Sequence, residues 1–239
     1  MGGVWLRRYH EAAPGAVRLV CFPFAGGSAN YFLGLSRLLA PRVQVLAVQY
    51  PGRQDRRREP CVESVPALAE GVVADLPADG APVALFGHSM GALVAFETAL
   101  RRTPAHLFVS GAVARPYRPS RPRSPVTEDD VLAHLREMGG TDARFFASPE
   151  LRRLVLPVLR ADYQAVAAYD PPGPVRLACP VTALIGDRDP RTTPQEAATW
   201  RERTAGAFAL QVLPGGHFYL DGCLERVADL VMGALAARR

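Results

Sequence analysis

Gly87-His88-Ser89-Met90-Gly91 spells G-x-S-x-G, a pattern that seats a serine at a sharp strand-to-helix turn. The two glycines let strand and helix pack closely, so the hydroxyl stands clear of the sheet edge at the positive end of the helix. A serine hydroxyl is a weak nucleophile near neutral pH and needs a base. His217, in Leu213-Pro214-Gly215-Gly216-His217-Phe218, is the candidate, because it lies in a glycine-rich loop just after the last apolar run. An acid must then orient the imidazole and stabilise its charged form. Asp187 and Asp189 both follow the apolar run Val181–Ile185. Asp189 is preferred, because it lies farther along the loop and nearer the edge where Ser89 and His217 would meet, with Asp187 as the alternative. A developing oxyanion needs two aimed N–H donors. Met90 N–H, directly after the serine, is one. Ala25 N–H, in the turn Phe24-Ala25-Gly26-Gly27, is the candidate for the other, with Phe24 and Gly26 as alternatives.

The remaining histidines fit the base less well. His10 and His106 precede the serine or sit on a strand, His88 adjoins the serine and is expected to point elsewhere, and His134 falls in a helical stretch. Asp221, close to His217 in sequence, reads better as a helix N-cap.

These residues need a scaffold that brings positions 25, 89, 189 and 217 to one edge. Short apolar runs alternate with helical spacing, which predicts a mostly parallel sheet flanked by helices. Strands are expected at Val17–Phe22, Val43–Val48, Val83–Phe86, His106–Gly111, Val181–Ile185 and Phe208–Leu213. Helices are expected at about Asn30–Leu39, Glu63–Leu76, Ser89–Arg101 and Leu224–Ala236. Arg115 to Pro125 is too dense in Arg, Pro and Ser for a regular element. Thr127 then starts a helix as N-cap, and two or three helices fill the stretch to Tyr169. Strand, elbow, acid and histidine in this order match the α/β-hydrolase fold. The chain is read as one domain over 1–239, with a helical lid inserted at about 115–169.

Composition narrows the class. Of 239 residues, 49% are hydrophobic, enough for one sizeable core. The net charge is +5, and every basic side chain is Arg. The excess is mild and no arginine run interleaves with aromatics, so a nucleic-acid partner is not expected. The dense stretch Arg53-Gln54-Asp55-Arg56-Arg57-Arg58 reads as a solvated loop face. The four cysteines are scattered without a C-x-x-C pair, as free thiols in a reducing compartment are. No metal site and no cofactor are expected. Met1 to Arg8 holds no signal-peptide core, and no apolar run approaches the ~18 residues of a membrane span. A cytoplasmic protein, a monomer off the membrane, is the expectation.

Four segments carry a narrower resemblance: Cys21-Phe22-Pro23-Phe24-Ala25-Gly26-Gly27-Ser28, Gln49-Tyr50-Pro51-Gly52-Arg53, Leu85 to Ala92, and Leu213 to Phe218. Leu159-Arg160-Ala161-Asp162-Tyr163 and Ile185 to Pro190 add weaker support. Together they resemble the stand-alone type II thioesterases of polyketide and nonribosomal peptide synthesis, across nearly the whole chain. Many members of that family have His where this chain has Phe24. The resemblance implies hydrolysis of acyl groups from the phosphopantetheine arm of acyl or peptidyl carrier proteins, which edits stalled or aberrant units. It makes the helical insertion a lid over an acyl channel, with Val131, Leu132, Leu135, Met138, Phe145, Phe146, Leu154, Val155 and Leu156 either lining the channel or packing the lid down. Arg53, Arg115, Arg118, Arg121 and Arg123 are candidates to meet an acidic carrier, although a solvated loop is the better reading for each. Three other functions fit the same triad or fold: a small-molecule carboxylesterase, a chain-releasing thioesterase, and a non-catalytic carrier-binding protein. The lack of an attached carrier domain favours the editing role.

Overall fold

A computed structural model describes residues 4–114, 127–139 and 148–236. Its seven strands are β1 (Leu6–Arg7), β2 (Val17–Phe22), β3 (Val43–Val48), β4 (Val83–His88), β5 (Leu107–Ser110), β6 (Val181–Gly186) and β7 (Phe208–Leu213). They form one sheet in the order β1-β3-β2-β4-β5-β6-β7. Every neighbouring pair is parallel except β1 with β3. The expected strands are present within a residue or two; β1 was not anticipated, because two residues carry no periodicity.

The sheet is buried on both faces, as a parallel sheet must be. Alternate strand residues therefore belong to different cores. Val20, Phe22, Val83, Leu85, Leu107 and Val109 face the core under α2 (Val65–Asp75) and α3 (Met90–Arg101). Leu19, Cys21, Ala84, Phe86 and Phe108 face the core under α1 (Leu33–Leu39) and the closing helix. The chain moves outward from β2 to β3, then crosses back to β4 on the other side of β2. Ligands of open α/β sheets bind at the carboxyl ends of the strands where the order reverses in this way. The Phe24–Gly27 turn leaves β2 and the elbow leaves β4 at that crevice.

Between β5 and β6 stand α4 (Glu128–Met138) and α5 (Pro149–Ala168). Thr127 caps α4 as expected, and its hydroxyl accepts from Asp130 N–H while the Asp130 carboxylate accepts from Thr127 N–H. Val131 and Leu132 of α4 pack with Leu156 and Leu159 of α5. Leu154 points outward, 69% exposed. Arg115, Arg118, Arg121, Arg123, Phe145 and Phe146 lie outside the described residues.

Two helix starts differ from expectation. Ala29–Phe32 is a 3-10 turn, and α1 proper begins at Leu33. A short α6 (Pro194–Ala197) follows β6, and the last helix, α7 (Leu220–Ala236), begins four residues early but breaks at Cys223, where φ is −127°. Asp221 thus lies inside the first turn of α7, not at its cap. Among the described residues, no helix is long and apolar enough to cross a membrane, and no cluster of His, Cys, Asp and Glu has the makings of a metal site.

Candidate active site

Ser89 takes φ 55° and ψ −120°, a backbone conformation that side-chain-bearing residues adopt only when their surroundings enforce it. Here the surroundings do. Ser89 N–H donates to Ser110 O at 2.7 Å, and α3 starts at the next residue. A Cβ on Gly87 would lie 2.1 Å from Gly91 O, and one on Gly91 would lie 2.0 Å from Phe22 O. Both flanking glycines are therefore needed for the strand, the elbow and the helix to stack.

His217 reaches the same edge from the loop after β7. Its Nδ1 lies 2.8 Å from Asp189 Oδ2, with side chains 3% and 0% exposed. The other Asp189 oxygen accepts from Arg191 N–H at 2.8 Å, which turns the carboxylate toward the ring. Asp187 is occupied elsewhere: its Oδ1 accepts from Gly215 N–H at 2.8 Å. The acid loop and the histidine loop touch closely enough that a Cβ on Gly186 would lie 2.2 Å from Gly216 O.

The turn after β2 has two of its N–H groups engaged. Gly26 N–H donates to Asp162 on α5 at 2.7 Å, and Gly27 N–H donates to Phe24 O at 2.9 Å. Gly26 N–H is thus engaged within the fold. Ala25 instead lines a cavity of about 250 Å³ together with Ser89 and His217. Leu135 and Met138 from α4 and Tyr163 from α5 form its far wall, and Phe24, Tyr31, Phe218 and Asp221 complete it. Phe24 packs edge-on against Tyr31 and Phe218, each at 4.9 Å between ring centres. A serine at a strained elbow, a histidine backed by a buried aspartate and a glycine-rich turn thus meet at one mostly apolar cavity, an arrangement that could support acyl transfer.

Residues 17–234 match the family described as thioesterase domain. The chain belongs to the thioesterase family. It is 50% identical over 245 aligned positions to thioesterase PikA5 of Streptomyces venezuelae, which covers 99% of this chain and 87% of that protein. The type II thioesterase BorB, from the borrelidin biosynthetic cluster, superposes with a TM-score of 0.87 at 41% identity, covering 98% of this chain and 99% of that one. RedJ, a thioesterase of the prodiginine biosynthetic pathway in Streptomyces coelicolor, gives 0.83 at 39% identity over 94% of this chain and 88% of its own. The fold is accordingly that of the α/β-hydrolase thioesterases.

Some residues of this thioesterase escaped the sequence reading. Arg53 and Arg56 are not on a solvated face: both are 6% exposed. Arg53 pairs with Asp162, and Arg56 donates to Gln49 O and pairs with Glu59. With its guanidinium buried against Asp162, Arg53 does not present its charge to an acidic partner. Tyr31, Tyr163 and Asp221 line the cavity, and burial raises the Asp221 carboxyl above its ordinary value. No local spacing marks them, because they come from three separate elements. Of the other histidines, His10 Nδ1 meets Ser36 Oγ at 3.0 Å and His106 Nε2 meets Thr182 Oγ1 at 2.9 Å. The His134 side chain lies outside the described residues.

His88 does not point away from the site. Fully buried, its Nδ1 meets Ser110 Oγ at 2.9 Å, Ser110 Oγ meets Tyr219 Oη at 2.6 Å, and its ring centre is 5.1 Å from that of His217. Burial holds its pKa well below the ordinary histidine value, and the adjacent His217 adds to the effect. Below pH ~6.5 the unfolded chain takes up a proton at His88 that the folded chain refuses, so stability is complete above that pH and declines beneath it. The melting midpoint is expected to fall by roughly 3–5 °C per pH unit between pH 6.5 and 5 from this group. His88→Gln should flatten that limb in thermal melts, and an unflattened limb would place the lost stability elsewhere.

Proposed function

We propose that this chain is a stand-alone type II thioesterase that releases acyl groups from the phosphopantetheine arm of acyl or peptidyl carrier proteins, clearing stalled or aberrant units in polyketide or nonribosomal peptide assembly. The observation that carries this reading is the end-to-end likeness to type II thioesterases of such pathways, BorB among them, on a chain where Ser89 and His217 line one cavity and Asp189 backs His217. In the proposed reaction Ser89 attacks the thioester carbonyl while His217 accepts its proton. The N–H groups of Ala25 and Met90 hold the oxyanion. The thiol leaves with the proton from His217, and His217 then activates water to free the acid and regenerate Ser89. Asp189 keeps the imidazole oriented and stabilises its charged form throughout. No cofactor enters this scheme.

In this reading 1–239 is one domain and the insertion at about 115–169 is its lid, with Leu135, Met138 and Tyr163 forming the lid side of the cavity. The enzyme is taken to act as a cytoplasmic monomer, and its free thiols suit a reducing compartment. The deciding experiment compares one acyl group presented on a loaded carrier protein and as a simple aryl ester, with products followed by mass spectrometry. The carrier-bound thioester is expected to turn over with kcat/KM at least about 100-fold higher and to yield the linear free acid. Equal turnover of the free ester would make the chain a carboxylesterase, and a cyclic product would make it a chain-releasing enzyme.

A further inference from the structure

Asp162, on α5, has a side chain with 0% exposure, and its partner Arg53 has 6%. Asp162 Oδ2 accepts from Arg53 Nη1 at 2.7 Å and Oδ1 from Arg53 Nη2 at 2.9 Å, a two-pronged pair. Asp162 Oδ2 also accepts from Gly26 N–H at 2.7 Å. Arg53 in turn donates to Gly27 O at 3.2 Å and, through Nε, to Pro51 O at 3.2 Å. Charge and counter-charge together therefore grip both ends of the Gly26–Gly27 segment.

The consequence lies in the peptide planes. Ala25 N–H belongs to the Phe24–Ala25 plane, whose carbonyl accepts from Gly27 N–H. The next plane ends in Gly26 N–H, which Asp162 holds. The plane after Gly27 begins with the carbonyl held by Arg53. Three points of a four-residue turn are thus tied down, and Ala25 N–H is aimed by what remains. Leu159, one turn before Asp162 on α5, closes over the same place, where a Cβ on Gly26 would lie 2.5 Å from Leu159 Cδ2. Gly26 takes φ +80°, which suits the approach.

A buried ion pair is a poor way to gain stability, because apolar groups of similar volume often do as well or better. What it supplies is direction, through fixed hydrogen-bond geometry. Arg53 also balances the Asp162 charge, so no net negative charge stands behind a developing oxyanion. We propose that Asp162, with Arg53, is a positioning residue for hydrolysis: it reaches from α5 to set the turn that aims Ala25 N–H at the oxyanion. This rests on the reading of Ser89 as the nucleophile that cleaves acyl thioesters.

The test measures hydrolysis of an acyl-loaded carrier protein by wild type, Ser89→Ala, Asp162→Asn, Arg53→Lys and Val231→Ala. Val231 is a buried residue of α7, in the core on the far side of the sheet from α5, and serves as a variant destabilised elsewhere. Asp162→Asn is expected to lower kcat on the order of 100-fold, as loss of one aimed oxyanion donor does, with KM within about threefold. Arg53→Lys, which keeps the charge but not the fork, should lose about tenfold. The rate of labelling by a fluorophosphonate should fall by the same factors, since its phosphoryl oxygen enters the same hole. Val231→Ala should melt lower and keep its kcat. A wild-type kcat in folded Asp162→Asn, a change confined to KM, or an equal kcat loss in Val231→Ala at a matched melting temperature would overturn the proposal. If Asp162→Asn does not fold, Arg53→Lys decides by the same readouts. A wild type that cleaves no loaded carrier, or a Ser89→Ala that still does, overturns the nucleophile reading instead, whatever Asp162 does.

Discussion

Ser89→Ala is expected to lower kcat for carrier-bound thioesters by about 10⁴–10⁶-fold, the range seen when a serine-hydrolase nucleophile is removed. Labelling by a fluorophosphonate should vanish with it, and the melting midpoint should barely move. The reason is structural: the strand–elbow–helix stack depends on Gly87 and Gly91, while the serine hydroxyl caps nothing in α3. Alanine inherits the same positive φ and its strain. Ser89→Gly, equally inactive, should release that strain, gain about 1 kcal/mol or more of stability and melt higher. The pair of variants separates two roles of one position, chemistry in the side chain and strain in the backbone. Wild-type labelling in Ser89→Ala would dismiss this serine as the nucleophile.

Asp189→Asn should be nearly as damaging. An asparagine fits the space but no longer offers a charged acceptor to His217 Nδ1, so the ring loses both its tautomer bias and the stabilisation of its charged form. On the order of a 10⁴-fold fall in kcat is expected, with KM within a few fold. The parallel change Asp187→Asn touches a carboxylate that accepts from Gly215 N–H, and should cost less than about tenfold. Steady-state kinetics on one loaded carrier measures both. A larger loss at 187 than at 189 would reverse the assignment of the acid.

How much was legible depends on whether a feature is local. The elbow is local: a buried strand, two glycines and a helix within some twenty residues spell out the position and the strain of Ser89. The sheet was legible too, because strands buried on both faces read as apolar runs bounded by turns. The preference for Asp189 rests on loop position alone; in the structure its Oδ2 lies 2.8 Å from His217 Nδ1, while Asp187 accepts from Gly215 N–H. Arg53 was misread for the opposite reason. The nearby acids Asp55 and Glu59 pair with Arg7 and Arg56 instead; the partner of Arg53 is 109 residues away, and a cluster of arginines in a loop looks solvated until that partner arrives. Asp221 and Tyr31 reach the cavity from separate elements, and Asp221 read as a cap because the break at Cys223 hides the extra turn of helix before it.

The sequence separation of 136 between Gly26 and Asp162 has a consequence for how the protein comes to life. A contact of such sequence separation carries a large loop-closure cost and is made late, after local helices and neighbouring strands have formed. The turn that aims Ala25 N–H is thereby completed only once α5 has docked, and the histidine comes later still in the chain. A nascent or half-folded molecule can possess its elbow serine and still be harmless to the acyl thioesters around it. In refolding, recovery of hydrolysis should lag behind recovery of helix content, making activity the last property this chain acquires.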